Sequence, residues 1–282
     1  MTVLVLGAAG QLGATMVGRL AGAGHAVTGA TRADVDLRDG PAVTAFIEAR
    51  RPELLINCAA YNNVDGAEDD PLPALEVNAM AVRAMAVGAE RVGATFVHYS
   101  TDFVFDGQAR RPYVETDPPR PQSAYGASKL LGEWFAQQAP SHYVLRVESL
   151  FGGPAARSSI DKIIAAVERG DEARVFVDRV VTPSYVEDVV TATEQLLLRH
   201  GPPGLYHCVN TGEATWYEVG VEIGRLMGAA PRLVPVKVAD VRLKASRPQY
   251  CALANGKLAT AAGPLPTWQD SLARYLESRK SA

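Results

Sequence analysis

Residues 2–13 read TVLVLGAAGQLG, and this stretch decides the fold. Thr2 to Leu6 reads as a strand, and its unbroken apolar run from Val3 to Leu6 is the pattern of one covered on both faces and so without a polar side to show. Three glycines follow at a spacing of three, Gly7, Gly10 and Gly13. Gly7 permits the tight turn out of the strand, Gly10 lets backbone approach a pyrophosphate, and Gly13 lets the next helix pack closely on the sheet. A helix opening at Gln11 would aim its free N–H groups at that phosphate. A glycine turn placed between strand and helix predicts a dinucleotide-binding βαβ unit.

Outward from this turn, the pattern predicts a helix over Gln11 to Ala23, a strand over His25 to Ala30 and a helix over Pro41 to Arg50. A strand over Leu54 to Cys58, a helix over Pro73 to Val92 and a strand over Thr95 to Ser100 follow. This alternation predicts an α/β fold, a doubly wound parallel Rossmann sheet with helices on both faces. Strands at Tyr143 to Val147 and Val175 to Val177 are expected to extend the sheet. After about Ser149 the regularity loosens, with helices expected at Ser159 to Glu168, Val186 to Leu198, Tyr217 to Met227 and Trp268 to Leu276. The expected division is an NAD(P)-binding Rossmann domain over residues 1–149 and a smaller, mainly substrate-binding C-terminal lobe over 150–282, with segments returning to the first domain.

Composition narrows the function classes. A chain of 282 residues with 48% hydrophobic and 21% charged residues can bury a large core without disulfides or metal. The formal net charge of -3, with no local basic cluster, argues against a nucleic-acid partner. Cys58, Cys208 and Cys251 are widely spaced, with no CxxC pair and no zinc-type cluster, and read as buried small hydrophobes in a reducing compartment. The chain runs from Met1 straight into a strand, without a signal-peptide start, and no apolar stretch reaches the roughly 18 residues that span a bilayer. A cytoplasmic location with no membrane partner is expected.

The second strand ends in Thr31-Arg32. An acidic residue there would bond the ribose 2′-hydroxyl of NAD, whereas Arg32 could pair with the 2′-phosphate of NADP. The alternative is an exposed surface arginine. The expected cofactor is NADPH, with NAD as the second choice.

The chemistry concentrates in two segments. SAYGASK at 123–129 holds Tyr125 and Lys129, which a helix starting near Ser123 carries one turn apart on one face. STDFVFDG at 100–107 follows an apolar strand and puts Ser100, Thr101 and Asp102 at a C-terminal strand end, where open α/β sheets bind ligands. Reducing a carbonyl needs a hydride source, a proton donor for the nascent alkoxide and a hydrogen bond that polarises the carbonyl. Tyr125 is assigned the proton, Thr101 the substrate oxygen, and Lys129 both the nicotinamide ribose and an electrostatic role. An ammonium about 4 Å from the phenol contributes roughly 4 kcal/mol at an effective dielectric of about 20. Desolvation can offset part of this, but the gross attraction is enough to bring a tyrosine from near 10 towards about 7. Asp102 reads equally as a substrate contact or as a turn former.

The GxxGxxG spacing resembles the extended branch of the short-chain dehydrogenase/reductase superfamily. NCAAYNNVDGAE at 57–68, Asn78, LYHCVNTGEATWYE at 205–218, RPQYCALANGKL at 247–258 and LPTWQDSLARYL at 265–276 narrow this to the dTDP-4-dehydrorhamnose reductase family, over nearly the whole chain. The resemblance implies NAD(P)H-dependent reduction of a 4-keto group on a nucleotide-linked deoxysugar. It implies cofactor contacts at Gly10, Gln11, Leu12, Asp36, Leu37, Ala60, Tyr61, Asn62, Tyr99, Tyr125 and Lys129, with Asp36-Leu37 against adenine.

Two departures stand out. Where the family commonly reads RTSW, this chain reads RVES at 146–149, so Ser149 occupies the place of a substrate-facing tryptophan and the sugar pocket is expected to be wider or more polar. A glutamate that some members use for a magnesium ion between subunits corresponds to Thr15, so no metal site is carried over and a homodimer is only suggested. Two other functions compete. A sugar-nucleotide dehydratase or epimerase would read TDE where this chain has Phe103 after Asp102, which favours plain reduction. A regulatory subunit that binds a dinucleotide without turnover would not need Thr101, Tyr125 and Lys129 together.

Overall fold

Strand β1 (Thr2–Leu6) is buried at every residue but the first. It lies inside a six-stranded sheet in the order Gly204–His207, β5 (His142–Val147), β4 (Thr95–Thr101), β3 (Leu54–Asn57), β1, β2 (Ala26–Ala30). Each neighbouring pair is parallel. The computed structural model describes residues 1–154 and 157–280.

A parallel sheet must be covered on both faces, and the strand residues divide accordingly. Val3, Val5, Leu54, Ile56, Val97 and Leu145 face one apolar cluster, with Leu12, Met16 and Leu20 of α1 (Gln11–Gly22) and with Ile164 and Val189 from the helices Ser159–Arg169 and Val186–Leu198. Leu4, Leu6, Leu55, Phe96 and Val144 point the other way, onto Val43 and Ile47 of α2 (Gly40–Arg50) and Met85 of the helix Ala81–Val92. Each such aliphatic side chain contributes about 1.5–3 kcal/mol by leaving water. The chain passes from β1 to β2 on one side and returns to β3 on the other. This strand-order reversal opens a crevice at the C-terminal ends of β1 and β3.

Two elements differ from the sequence reading. The helix expected over Pro73 to Val92 begins at Leu72, and a π-helical stretch, Glu76–Met80, precedes the regular helix Ala81–Val92. Asn78 lies in that stretch and joins three backbone and side-chain groups. Its Oδ1 accepts from Tyr61 N at 2.8 Å, and its Nδ2 donates to Tyr61 O at 3.1 Å and Ser128 Oγ at 3.0 Å. The loop after β3 is thereby tied to the helix carrying Tyr125.

The strand expected at Val175 to Val177 does not extend the main sheet. Glu172–Phe176 pairs in parallel with Arg232–Val236 in a separate two-stranded sheet. Its residues alternate between exposed and buried, which suits a strand with one wet face and not a sheet covered on both sides. The place beside β5 is taken instead by Gly204–His207, from late in the chain. No helix among the described residues is long and apolar enough to cross a membrane.

Candidate active site

Gly7 has φ +80°, and a Cβ there would sit 2.6 Å from Ala59 N. A Cβ on Gly13 would sit 2.2 Å from Gly7 O, so any side chain at either position forces the turn open. Gly10 is the N-cap of α1 and no side chain caps it, which leaves the first-turn N–H groups for an anion. This cradle fits a dinucleotide pyrophosphate. Gly10, Gln11 and Leu12 line one side of a cleft of about 400 Å³, and Ala60 and Asn62 join them from the loop after β3. The opposite wall includes Thr101, Asp102, Tyr125, Lys129 and Ser149.

The helix Ala124–Ala136 starts where the sequence says it should, because Ser123 accepts from Gly126 N at 3.1 Å. Tyr125 and Lys129 both lie on its buried side. Lys129 donates from Nζ to Tyr99 O at 2.6 Å. Burial pushes its pKa down to about 8, against the opposing pull of the Glu133 carboxylate. Thr101 ends β4, where its hydroxyl donates to Asp102 Oδ1 at 2.9 Å and accepts from Phe103 N at 3.3 Å.

The electrostatic expectation for Tyr125 is corrected. Burial raises its phenol well above the ordinary value, the charge of Asp102 raises it further, and the hydrogen bond with Thr101 opposes them. The Lys129 ammonium donates to the Tyr99 carbonyl. Desolvation therefore outweighs the attraction that the spacing suggested. Burial thus holds the phenol protonated at neutral pH, the form that a proton donor requires.

Other expected contacts divide. Gly7 and Gly13 shape the turn without lining the cleft. Tyr99 directs its hydroxyl to Thr193 Oγ1 at 2.7 Å, inside the core, while its carbonyl holds Lys129. Tyr61 packs with Ala67, Ala74 and Tyr125 beside the cleft. Arg32 is exposed just beyond β2. Nearby, Asp36 is bonded to Arg38 at 2.7 Å, which holds its carboxyl down at about 2. Leu37 packs on the α2 side of the sheet. These three lie beyond the cleft walls, along the edge that follows β2. Ser149 does line the cleft, in a left-handed backbone conformation with φ 46°.

Sequence reasoning missed Glu148 and Arg179, which also line the cleft. Glu148 had a readable signal, a charged residue at the C-terminal end of an apolar strand, the same placement that marked Thr101. Arg179 had none, because it arrives from a loop in the irregular second half. Among the cysteines, Cys208 and Cys251 are buried as expected. Cys58 is half-buried and lines the cleft, with burial pushing its thiol up to about 12. Phe103, at the dehydratase glutamate position, sets its ring edge-on to that of Tyr125 at 5.5 Å.

A switch-point crevice with a glycine turn on one side and a Thr-Tyr-Lys set on the other defines the extended short-chain dehydrogenase/reductase superfamily. A family profile described as "RmlD substrate binding domain" matches residues 1–281, and the chain belongs to that family, the dTDP-4-dehydrorhamnose reductases. It is 37% identical over 276 residues to a "probable dTDP-4,6-dihydroxy-2-methyloxan-3-one 4-ketoreductase" of Streptomyces antibioticus, covering 96% of this chain and 93% of the relative. Among solved structures, a dTDP-4-dehydrorhamnose reductase of Clostridium acetobutylicum superposes with a TM-score of 0.94 at 34% identity, covering 99% of this chain and 100% of that one. The dTDP-4-dehydrorhamnose reductase of Bacillus anthracis, solved in complex with NADP, gives 0.93 at 29% identity, covering 98% and 99%.

Proposed function

We propose that this protein reduces the 4-keto group of a nucleotide-linked deoxysugar with NADPH, as its relatives' names suggest. The observation that carries the reading is the convergence of Thr101, Tyr125 and Lys129 on a cleft whose other side is the uncapped N-terminus of α1. When bound, NADPH supplies hydride to the carbonyl carbon. Thr101, whose O–H rests on Asp102 Oδ1, turns it to orient the carbonyl oxygen, and Tyr125 gives that oxygen the proton as alkoxide charge develops. Lys129, held by the Tyr99 carbonyl, is assigned to the nicotinamide ribose. Gly10, Gln11 and Leu12 take the pyrophosphate on α1, and Asp36 and Leu37 take the adenine.

In this reading residues 1–149 bind the dinucleotide, and residues 150–282 mainly shape the sugar pocket. A cytoplasmic location and a homodimer complete it. The exposed Leu72, Met80 and Trp134, on helical segments in mutual contact, supply apolar surface for a subunit contact, and light scattering reads the mass. The reductase reading is tested with purified protein, NADPH and a panel of 4-keto sugar nucleotides that includes dTDP-4-dehydrorhamnose. Sugar-dependent loss of NADPH absorbance is expected. A fluorescence change on NADPH binding without consumption under any sugar would instead identify a regulatory dinucleotide-binding subunit.

Arg32 sets an expected cofactor preference. An exposed arginine-phosphate bond contributes about 1 to 2 kcal/mol, or roughly tenfold in affinity. NADPH is expected to bind more tightly than NADH by about that factor, and Arg32→Ala to abolish the difference. If the ratio of the two dissociation constants is the same in wild type and variant, Arg32 is a surface charge only.

A further inference from the structure

Three buried side-chain atoms lack a hydrogen-bond partner among the described residues and belong to residues that line the cleft: Asp102 Oδ2, Glu148 Oε1 and Arg179 Nε. Asp102 and Glu148 are only 4% and 2% exposed. One oxygen from each carboxylate and the Cys251 sulfur lie within 4.8 Å of one another. Each carboxylate is anchored through one oxygen and leaves the other unused. Thr101 Oγ1 donates to Asp102 Oδ1 at 2.9 Å, and Thr182 N donates to Glu148 Oε2 at 2.8 Å. Arg179 is steadied by Cys251 Sγ at 3.7 Å and by the Phe103 ring. Native proteins rarely leave such atoms unpaired, so three together mark the place of a ligand group.

We propose that Asp102, Glu148 and Arg179 form a hydroxyl-reading subsite that selects keto sugars bearing a free hydroxyl on the carbon next to the carbonyl, with Glu148 as the specificity-determining residue. The proposal rests on the reductase reading above. A hydroxyl has one hydrogen to donate and two lone pairs to accept with, which matches one carboxylate oxygen, the Arg179 N–H and the O–H of the second carboxyl, which burial beside its neighbour keeps protonated. A methylene in its place would leave all three atoms buried and unpaired. Asp102 is one hydrogen bond from Thr101, the residue assigned to the carbonyl oxygen, so the hydroxyl read by the cluster is the vicinal one. A divalent cation suits the cluster less well, because the Arg179 guanidinium already brings positive charge into it. Ser149, small and on the cleft wall beside Glu148, leaves the approach open.

Saturation with NADP⁺ allows a keto sugar to bind without being reduced, so calorimetry separates recognition from turnover. Wild-type protein in that state is expected to bind dTDP-4-keto-6-deoxyglucose about 10- to 100-fold more tightly than its 3-deoxy counterpart. Glu148→Ala is expected to bring the two affinities within about threefold, chiefly by weakening the hydroxylated sugar. Glu148→Gln, which keeps the side-chain shape, is expected to fall between and serves if the alanine variant does not fold. A merely structural role would weaken both sugars alike. An unchanged ratio in the folded variants, or no preference in wild type, overturns the subsite. Retained preference without NADPH-dependent turnover of either sugar would leave the subsite standing and sink the reductase reading. Turnover of both sugars without discrimination would do the reverse, and binding of neither sinks both.

Discussion

Tyr125→Phe is expected to keep the fold, bind NADPH with near wild-type affinity and lose about 10² to 10⁴ in kcat, the range of general acid catalysis. One hydroxyl is removed, and its work is done only as charge develops on the substrate oxygen, so the loss falls on kcat and not on substrate binding. The buried phenol, raised by desolvation and by Asp102, is protonated across the neutral range, so the acid role proposed for it needs no tuning at rest. Lys129→Ala is expected to differ by weakening cofactor binding as well, since its ammonium is assigned to the ribose. Steady-state kinetics with an authentic keto sugar, together with fluorescence titration of NADPH, separates the two variants. Near-normal kcat in Tyr125→Phe would mean that the proton comes from another group, and the YxxxK spacing would then be an ordinary helical pair.

Much of this architecture was legible because local chemistry and tertiary role agree in the first half of the chain. VLVL at 3–6 is buried and central, Gly7 and Gly13 occupy positions where a Cβ collides with backbone, and Ser123 caps the helix that presents Tyr125. The π-helical stretch around Asn78 was not legible. Asn78 there bonds to Tyr61 and Ser128, partners 17 and 50 residues away, and periodicity registers only near neighbours. The strand expected at Val175 to Val177 exists as Glu172–Phe176 but belongs to a second sheet, and the edge beside β5 is filled by Gly204–His207, a pairing between distant segments that local pattern does not carry. The sign of the Tyr125 shift was misjudged for a related reason. Sequence spacing brings Lys129 near the phenol, but only the fold reveals how completely the phenol is buried and that the ammonium is bonded elsewhere.

The second large effect concerns the ion pair between β5 and the helix that carries Tyr125 and Lys129. Glu133 follows Lys129 by one turn, and its side chain is 1% exposed against 3% for that of Arg146 on β5. The pair is bidentate, with Arg146 Nε to Oε1 at 2.8 Å and Nη2 to Oε2 at 2.7 Å, while Ser100 Oγ adds a third donor at 2.5 Å. Removing one partner strands the other charge without water, so Glu133→Ala is expected to cost about 3–5 kcal/mol of unfolding free energy. Replacing both, as Glu133→Leu with Arg146→Met, exchanges the buried charges for apolar packing and is expected to recover most of that loss. Urea melts of the single and double variants measure the difference directly. The same carboxylate holds the Lys129 ammonium against desolvation, so the double variant should recover stability before it recovers activity, with its Lys129 pKa depressed further below about 8. A single Glu133→Ala variant as stable as wild type would show that Arg146 finds water or another partner on its own, and that the pair serves Lys129 alone.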